Sequence, residues 1–103
     1  MNKYDRKRLI NRYLEVILSK ASALYDPDLK DIDSYKVQIM LEISFMYGKL
    51  YEETPNSFTV EEGINSMFAF INWISSLSQE SFDKIDIDYL RNVLKNNLGL
   101  SLE

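Results

Sequence analysis

The residues in this sequence with the most chemical potential are carboxylates: Glu52-Glu53, Glu61-Glu62, and Asp83 with Asp86 and Asp88. Two carboxylates held in a cleft can divide the roles of general acid and general base, as in glycoside hydrolysis. Their neighbours point to a plainer use. Glu52-Glu53 and Glu61-Glu62 flank a turn built on Thr54-Pro55-Asn56-Ser57, and Glu61 and Glu62 fall in a first helical turn. Asp86 and Asp88 fall at another helix start, where acids complement the helix dipole and cap free amides. The linker 25–33 (YDPDLKDID) adds four aspartates. Read from Asp26 as a calcium loop, it puts Lys30 and Asp31 where a ligand and a glycine are required. No metal-ligating residue is therefore expected.

The chain contains no histidine and no cysteine. That removes the commonest general base, the thiol nucleophile and the usual zinc ligands, together with the Glu-x-x-His motif of di-iron bundles. Serines lack a histidine partner, and the three glycines stand alone at 48, 63 and 99 with no phosphate-cradling run. No catalytic residue and no cofactor-binding residue is expected, and the chain reads as a non-enzyme without a cofactor. Without disulfides the fold must rest on packing, which fits a reducing, cytoplasmic setting.

Composition is that of a globular chain: 46% hydrophobic, 27% charged and 13% aromatic over 103 residues, enough for one domain spanning 1–103 with a real core. Charge is unevenly spread. Residues 1–20 hold six basic and two acidic side chains, a net of +4, whereas residues 21–103 hold six basic and fourteen acidic ones, a net of −8. The basic face of the first segment, with Arg8 and Arg12 as its centre and Tyr4 and Tyr13 between the cations, is the one feature suited to a phosphate backbone. The acidic remainder opposes approach to a polyanion, and no helix carries the Arg, Asn and Gln pattern of base readers. Nucleic acid is thus a distant alternative, through that N-terminal helix. No apolar run approaches the ~18 residues of a membrane span. The basic-then-apolar N-terminus is broken by Asn11, Arg12 and Glu15, unlike a secretory leader.

Hydrophobic periodicity predicts four helices and no strand. The first covers about 3–24, with Ile10, Tyr13, Leu14, Ile17, Ala21 and Leu24 on one stripe and Asp5–Arg8 and Arg12–Glu15 pairs on the other face. Pro27 ends it, and Asp33 or Ser34 is placed to cap the next helix, about 34–53. That second helix is apolar nearly all round, so it is either wrapped by its neighbours or meets a second molecule. Ser44 and Gly48 suggest a close helix crossing. Thr59 and Glu62 form a capping box for a third helix reaching about Leu77. Its stripe of Val60, Ile64, Met67, Phe68, Ile71 and Ile74 is widened by Phe70, Trp73 and Leu77 to an arc of roughly 220° at 100° per residue, beyond the ~100° of a one-sided helix. A short extra turn near 79–84 precedes a fourth helix, 87–98, capped by Asp86 and closed by Gly99 with Leu100 folding back. The expected architecture is an all-α, compact four-helix bundle.

These features favour a small acidic protein-binding module of the inhibitor, immunity, antagonist or adaptor kind; the inference is by class, with no family motif behind it. Its expected partner is another protein, with a homodimer of structural or regulatory role as the alternative. Aromatic and methionine side chains dominate interface hot spots, so the candidate docking residues are Phe70, Trp73 and Leu77 on the third helix and Met46, Tyr47 and Leu50 on the second. The competing use of the same residues is the core, since area alone does not separate a core residue from an interface anchor.

Overall fold

Local capping chemistry sets most of the helix ends. The computed structural model describes residues 2–29 and 31–102; Lys30 of the acidic linker lies outside them. Helix α1 covers Lys3–Ser22 and runs into a 3-10 turn, Ala23–Tyr25. Then follow α2 (Asp33–Glu53), α3 (Val60–Ser75), the short α4 (Gln79–Asp83) and α5 (Ile87–Leu98). This is the all-α bundle of four long helices that periodicity predicts, with the extra turn in its expected place and no strand among the described residues.

The Asn2 side chain accepts the Asp5 N–H at 2.9 Å to start α1. Thr59 and Glu62 form the capping box in both directions, at 3.2 and 3.3 Å. Ser78 caps α4 and Asp86 caps α5. Gly99 adopts the left-handed conformation (φ 73°), the Leu100 N–H donates to the Leu94 carbonyl at 3.0 Å, and the Leu100 side chain is fully buried. Helix α2 departs from expectation. Ile32 precedes it with no side-chain cap, and neither Asp33 nor Ser34 takes that role. Asp33 is already helical, where its charge meets the positive end of the helix dipole instead.

Helix α1 packs on α2 and α5, and α3 packs on α2 and α5, with the most extensive contact between α1 and α2. One core results. Ile10, Leu14, Ile17 and Ala21 come from α1; Ile39, Ile43, Tyr47 and Leu50 from α2; Phe70 and Ile74 from α3; Leu90 and Leu94 from α5. Full burial of each large aliphatic side chain contributes about 1.5–3 kcal/mol before entropy is counted. Tyr25, at the end of the 3-10 turn, ties the chain across the bundle. Its hydroxyl donates to the Ile74 carbonyl at 2.7 Å and accepts the Leu77 N–H at 3.1 Å, satisfying the open C-terminus of α3. Its ring stacks on Phe82 of α4, with centroids 4.5 Å apart.

The close approach between helices falls at a different glycine from the one the sequence suggests. A Cβ at Gly48 would meet nothing within 4 Å, so the Ser44–Gly48 step is not a close crossing. The Ser44 hydroxyl donates back to the Met40 carbonyl. The close approach is at Gly63, where a Cβ would stand 3.0 Å from the Tyr51 ring, because α3 lays its first turns across that tyrosine.

Candidate functional site

Helix α2 carries two apolar stripes on opposite sides. Ile39, Ile43, Tyr47 and Leu50 face the core. Val37, Leu41 and Phe45, at i, i+4 and i+8, recur on the far side and are 55–66% exposed. Helix α3 repeats the pattern: Val60, Ile64 and Phe68 hold the same spacing and are 45–79% exposed, whereas Ser66, Phe70 and Ile74 are buried. The crevice between the helices is bordered by the α3 stripe and by other residues of α2. Gly48 of α2 shares an open hollow of about 210 Å³ with Val60 and Ile64, and Met40 shares another, farther along, with Phe68. On the outer side of α2, Val37, Leu41, Phe45 and Met46 line an open groove of about 630 Å³ closed by the Lys20–Glu42 ion pair (3.2 Å). Monomeric proteins rarely leave a large contiguous apolar patch uncovered, and such patches often mark contact sites.

The residues expected to dock a partner divide between core and rim. Phe70, Tyr47 and Leu50 are at most 1% exposed and belong to the core. Phe70 packs on Tyr47, with ring centroids 5.3 Å apart. Trp73 lies half-buried against Phe70, and Leu77 is half-buried with its amide held by Tyr25. Met46 alone among the six borders the exposed groove of α2. Helix α3 is thus rotated relative to the expected docking arc: it buries Phe70 and presents Val60, Ile64 and Phe68. Two polar anchors fix that rotation. The Tyr47 and Ser66 hydroxyls hydrogen-bond to each other inside the α2–α3 contact, and Tyr25 holds the far end of α3. The signal for the exposed stripes was present in the i, i+4, i+8 spacing on both helices, but nothing local marks which apolar side is left over.

The carboxylates take the structural places that their positions suggest. Glu62 completes the capping box, Asp83 accepts from Gln79, Asp86 caps α5, and Asp88 pairs with Arg91 at 2.9 Å. Among the described residues no three acids converge as metal ligands would. Arg8 and Arg12 are exposed on α1. The Arg8 guanidinium lies 5.7 Å from the Tyr4 ring centroid rather than on Asp5, and Arg12 pairs loosely with Glu15 at 3.8 Å. The open hollow they line also contains Asp5 and Glu15, so its charge is mixed. Burial pushes the Tyr25 and Tyr47 phenols above the ordinary tyrosine value of 10.0, opposed in part by the Leu77 amide and the Ser66 hydroxyl respectively.

No family model matches this chain, and no curated protein or solved structure matches it either. Among the described residues no helix is long and apolar enough to cross a membrane. The α2–α3 face is apolar at its centre. The half-buried Lys49 lies over an aromatic ring, its Nζ 4.8 Å from the Phe45 centroid.

Proposed function

We propose that this chain is a small acidic protein-binding module of the inhibitor or adaptor class, acting by contact through the α2–α3 face. One observation carries the reading: six large apolar side chains, three on each of two adjacent helices, stand 45–79% exposed, those of α2 along its outer groove and those of α3 along the hollows it shares with α2. The core does not need them, because it is already filled from the opposite sides of the same helices.

Three baits test this in host lysate: wild type, Leu41→Glu/Phe68→Glu, and Arg8→Glu/Arg12→Glu. The expected result is a foreign protein recovered in stoichiometric amount with the first and third and lost with the second, at equal thermal stability. Recovery that survives Leu41→Glu/Phe68→Glu would overturn the reading. So would recovery that follows the arginines and brings nucleic-acid absorbance with it. A wild-type mass that rises with concentration and reverts to monomer in the Leu41→Glu/Phe68→Glu variant would assign the face to self-association instead.

A further inference from the structure

Charge around the exposed face narrows the kind of partner that fits it. At the end where α2 runs into α3, Glu52 and Glu61 are exposed and make no ion pair among the described residues. At the other end, Asp31 and Asp33 are exposed, and among the described residues Asp33 pairs with Lys36, at 4.0 Å. Residues 33–75 carry six acids and two lysines, a net of −4. Of those lysines, Lys49 is turned onto the Phe45 ring. The surface is therefore an apolar strip with exposed acids at both ends, free of ion pairs among the described residues at the Glu52–Glu61 end and loosely paired through Asp33 at the other.

That arrangement argues against a second copy as the occupant. A two-fold pair sets the same face against itself. In either orientation acids meet acids, Glu52 and Glu61 opposing themselves or opposing Asp31 and Asp33, and like charges across an interface are unfavourable. The basic helix of another copy does not fit either, because Tyr4 is the only large apolar side chain that α1 leaves exposed among the described residues.

Deepening the proposed function, and resting on it, we infer that the face receives an amphipathic helix of a different protein, with a short apolar stripe flanked at both ends by Lys or Arg. Each stripe of the face spans eight residues, or about 12 Å at 1.5 Å per residue, which matches three apolar side chains on about two turns of a partner helix. The crevice has room for the central one. Gly48 places no side chain there, and the hollow it shares with Val60 and Ile64 is open. Flanking cations then reach Glu52 and Glu61 at one end and Asp31 and Asp33 at the other, which fixes the register and hastens encounter.

The test uses two stapled helical peptides of about 18 residues, long enough to hold a helix once stapled. Both carry Leu, Phe and Leu at i, i+4 and i+8; one has Lys/Arg flanks and the other Glu flanks. Binding is read by fluorescence anisotropy and mapped by amide chemical shifts. The basic peptide is expected to bind about tenfold more tightly, the effect of a few exposed ion pairs acting together, with the margin shrinking as salt is raised. Its shifts are expected on Leu41, Gly48, Ile64 and Phe68. Glu52→Lys/Glu61→Lys should erase or reverse the preference, and Gly48→Leu should weaken both peptides by filling the hollow without unfolding α2.

Equal binding of the two peptides at this face would overturn the inference about charge and leave the proposed function standing. Absence of binding by both up to about 1 mM would overturn the inference about a helical occupant. Loss of lysate capture in the Leu41→Glu/Phe68→Glu bait would still report separately on the face. Shifts confined to α1 would overturn both.

Discussion

Phe68 and Phe70 are two residues apart on the same helix and have opposite fates: one is 62% exposed, the other fully buried. Leu41 and Leu50 repeat the contrast on α2, at 66% and 0%. The inward stripes form the core with α1 and α5, whereas the outward stripes face solvent. Residue type is the same on both sides, so hydrophobicity does not decide burial here. What decides it is which side of each helix finds another helix. The other helices cover one side of α2 and α3 and leave the outward stripes exposed.

The sharpest way to break this comparison is to truncate both members of a pair. Phe70→Ala is expected to destabilise the fold by about 3–5 kcal/mol through lost burial and a cavity. Phe68→Ala is expected to stay within about 0.5 kcal/mol, as at other exposed sites. Urea denaturation of the two variants reads the difference directly. Equal losses would mean that the outward stripe belongs to the core after all.

The hydroxyl pair that orients α3 gives the next largest effect. Ser66→Ala leaves the Tyr47 hydroxyl without its partner inside the α2–α3 contact, and a loss of about 1–3 kcal/mol is expected. Tyr47→Phe/Ser66→Ala should recover part of that loss, which a double-mutant cycle measures. The same tyrosine links stability to pH. Tyr25 and Tyr47 have phenols raised above 10.0 in the folded state. Stability is therefore full below pH 10 and falls as pH rises from 10 towards the raised folded values, because the unfolded chain releases these protons first. Absorbance titration of the phenolates beside the unfolding curve checks the sign, and Tyr47→Phe should flatten the alkaline slope.

Smaller effects sharpen the contrast between the faces. Thr59→Ala removes the cap at the head of α3 and should cost about 1 kcal/mol. Gly48→Ala, with open space around the new methyl group, should stabilise α2 by about 0.5–1 kcal/mol by helix propensity. Gly63→Ala should lack that gain, since its methyl meets the Tyr51 ring at 3.0 Å. Thermal melts of the two alanine variants side by side test which glycine is the crossing point.

Much of the scaffold was legible in the sequence because it is local. The Thr59–Glu62 box, the Asp86 cap and the Gly99 turn each close within a few residues, so their hydrogen bonds can be read without knowing the fold. The core stripe of α1 was equally legible, since that helix has a single apolar side and a charged one. The candidate docking face was not. The arc of α3 is too wide to name its own inner side, and Phe70, Tyr47 and Leu50 were equally suited to a core or an interface.

The sequence by itself determined four long helices, their caps, the absence of histidine and cysteine chemistry, and the split between a basic N-terminal segment and an acidic remainder. Helix propensity, capping and composition act over a turn or less, or need no structure at all. The tertiary structure decided the rotation of α3, the close approach at Gly63 rather than Gly48, and the exposure of Val37, Leu41, Phe45, Val60, Ile64 and Phe68. Those outcomes are a competition between equally apolar faces. It is settled by contacts between residues far apart in the chain, such as Tyr47 with Ser66 and Tyr25 with Ile74 and Leu77.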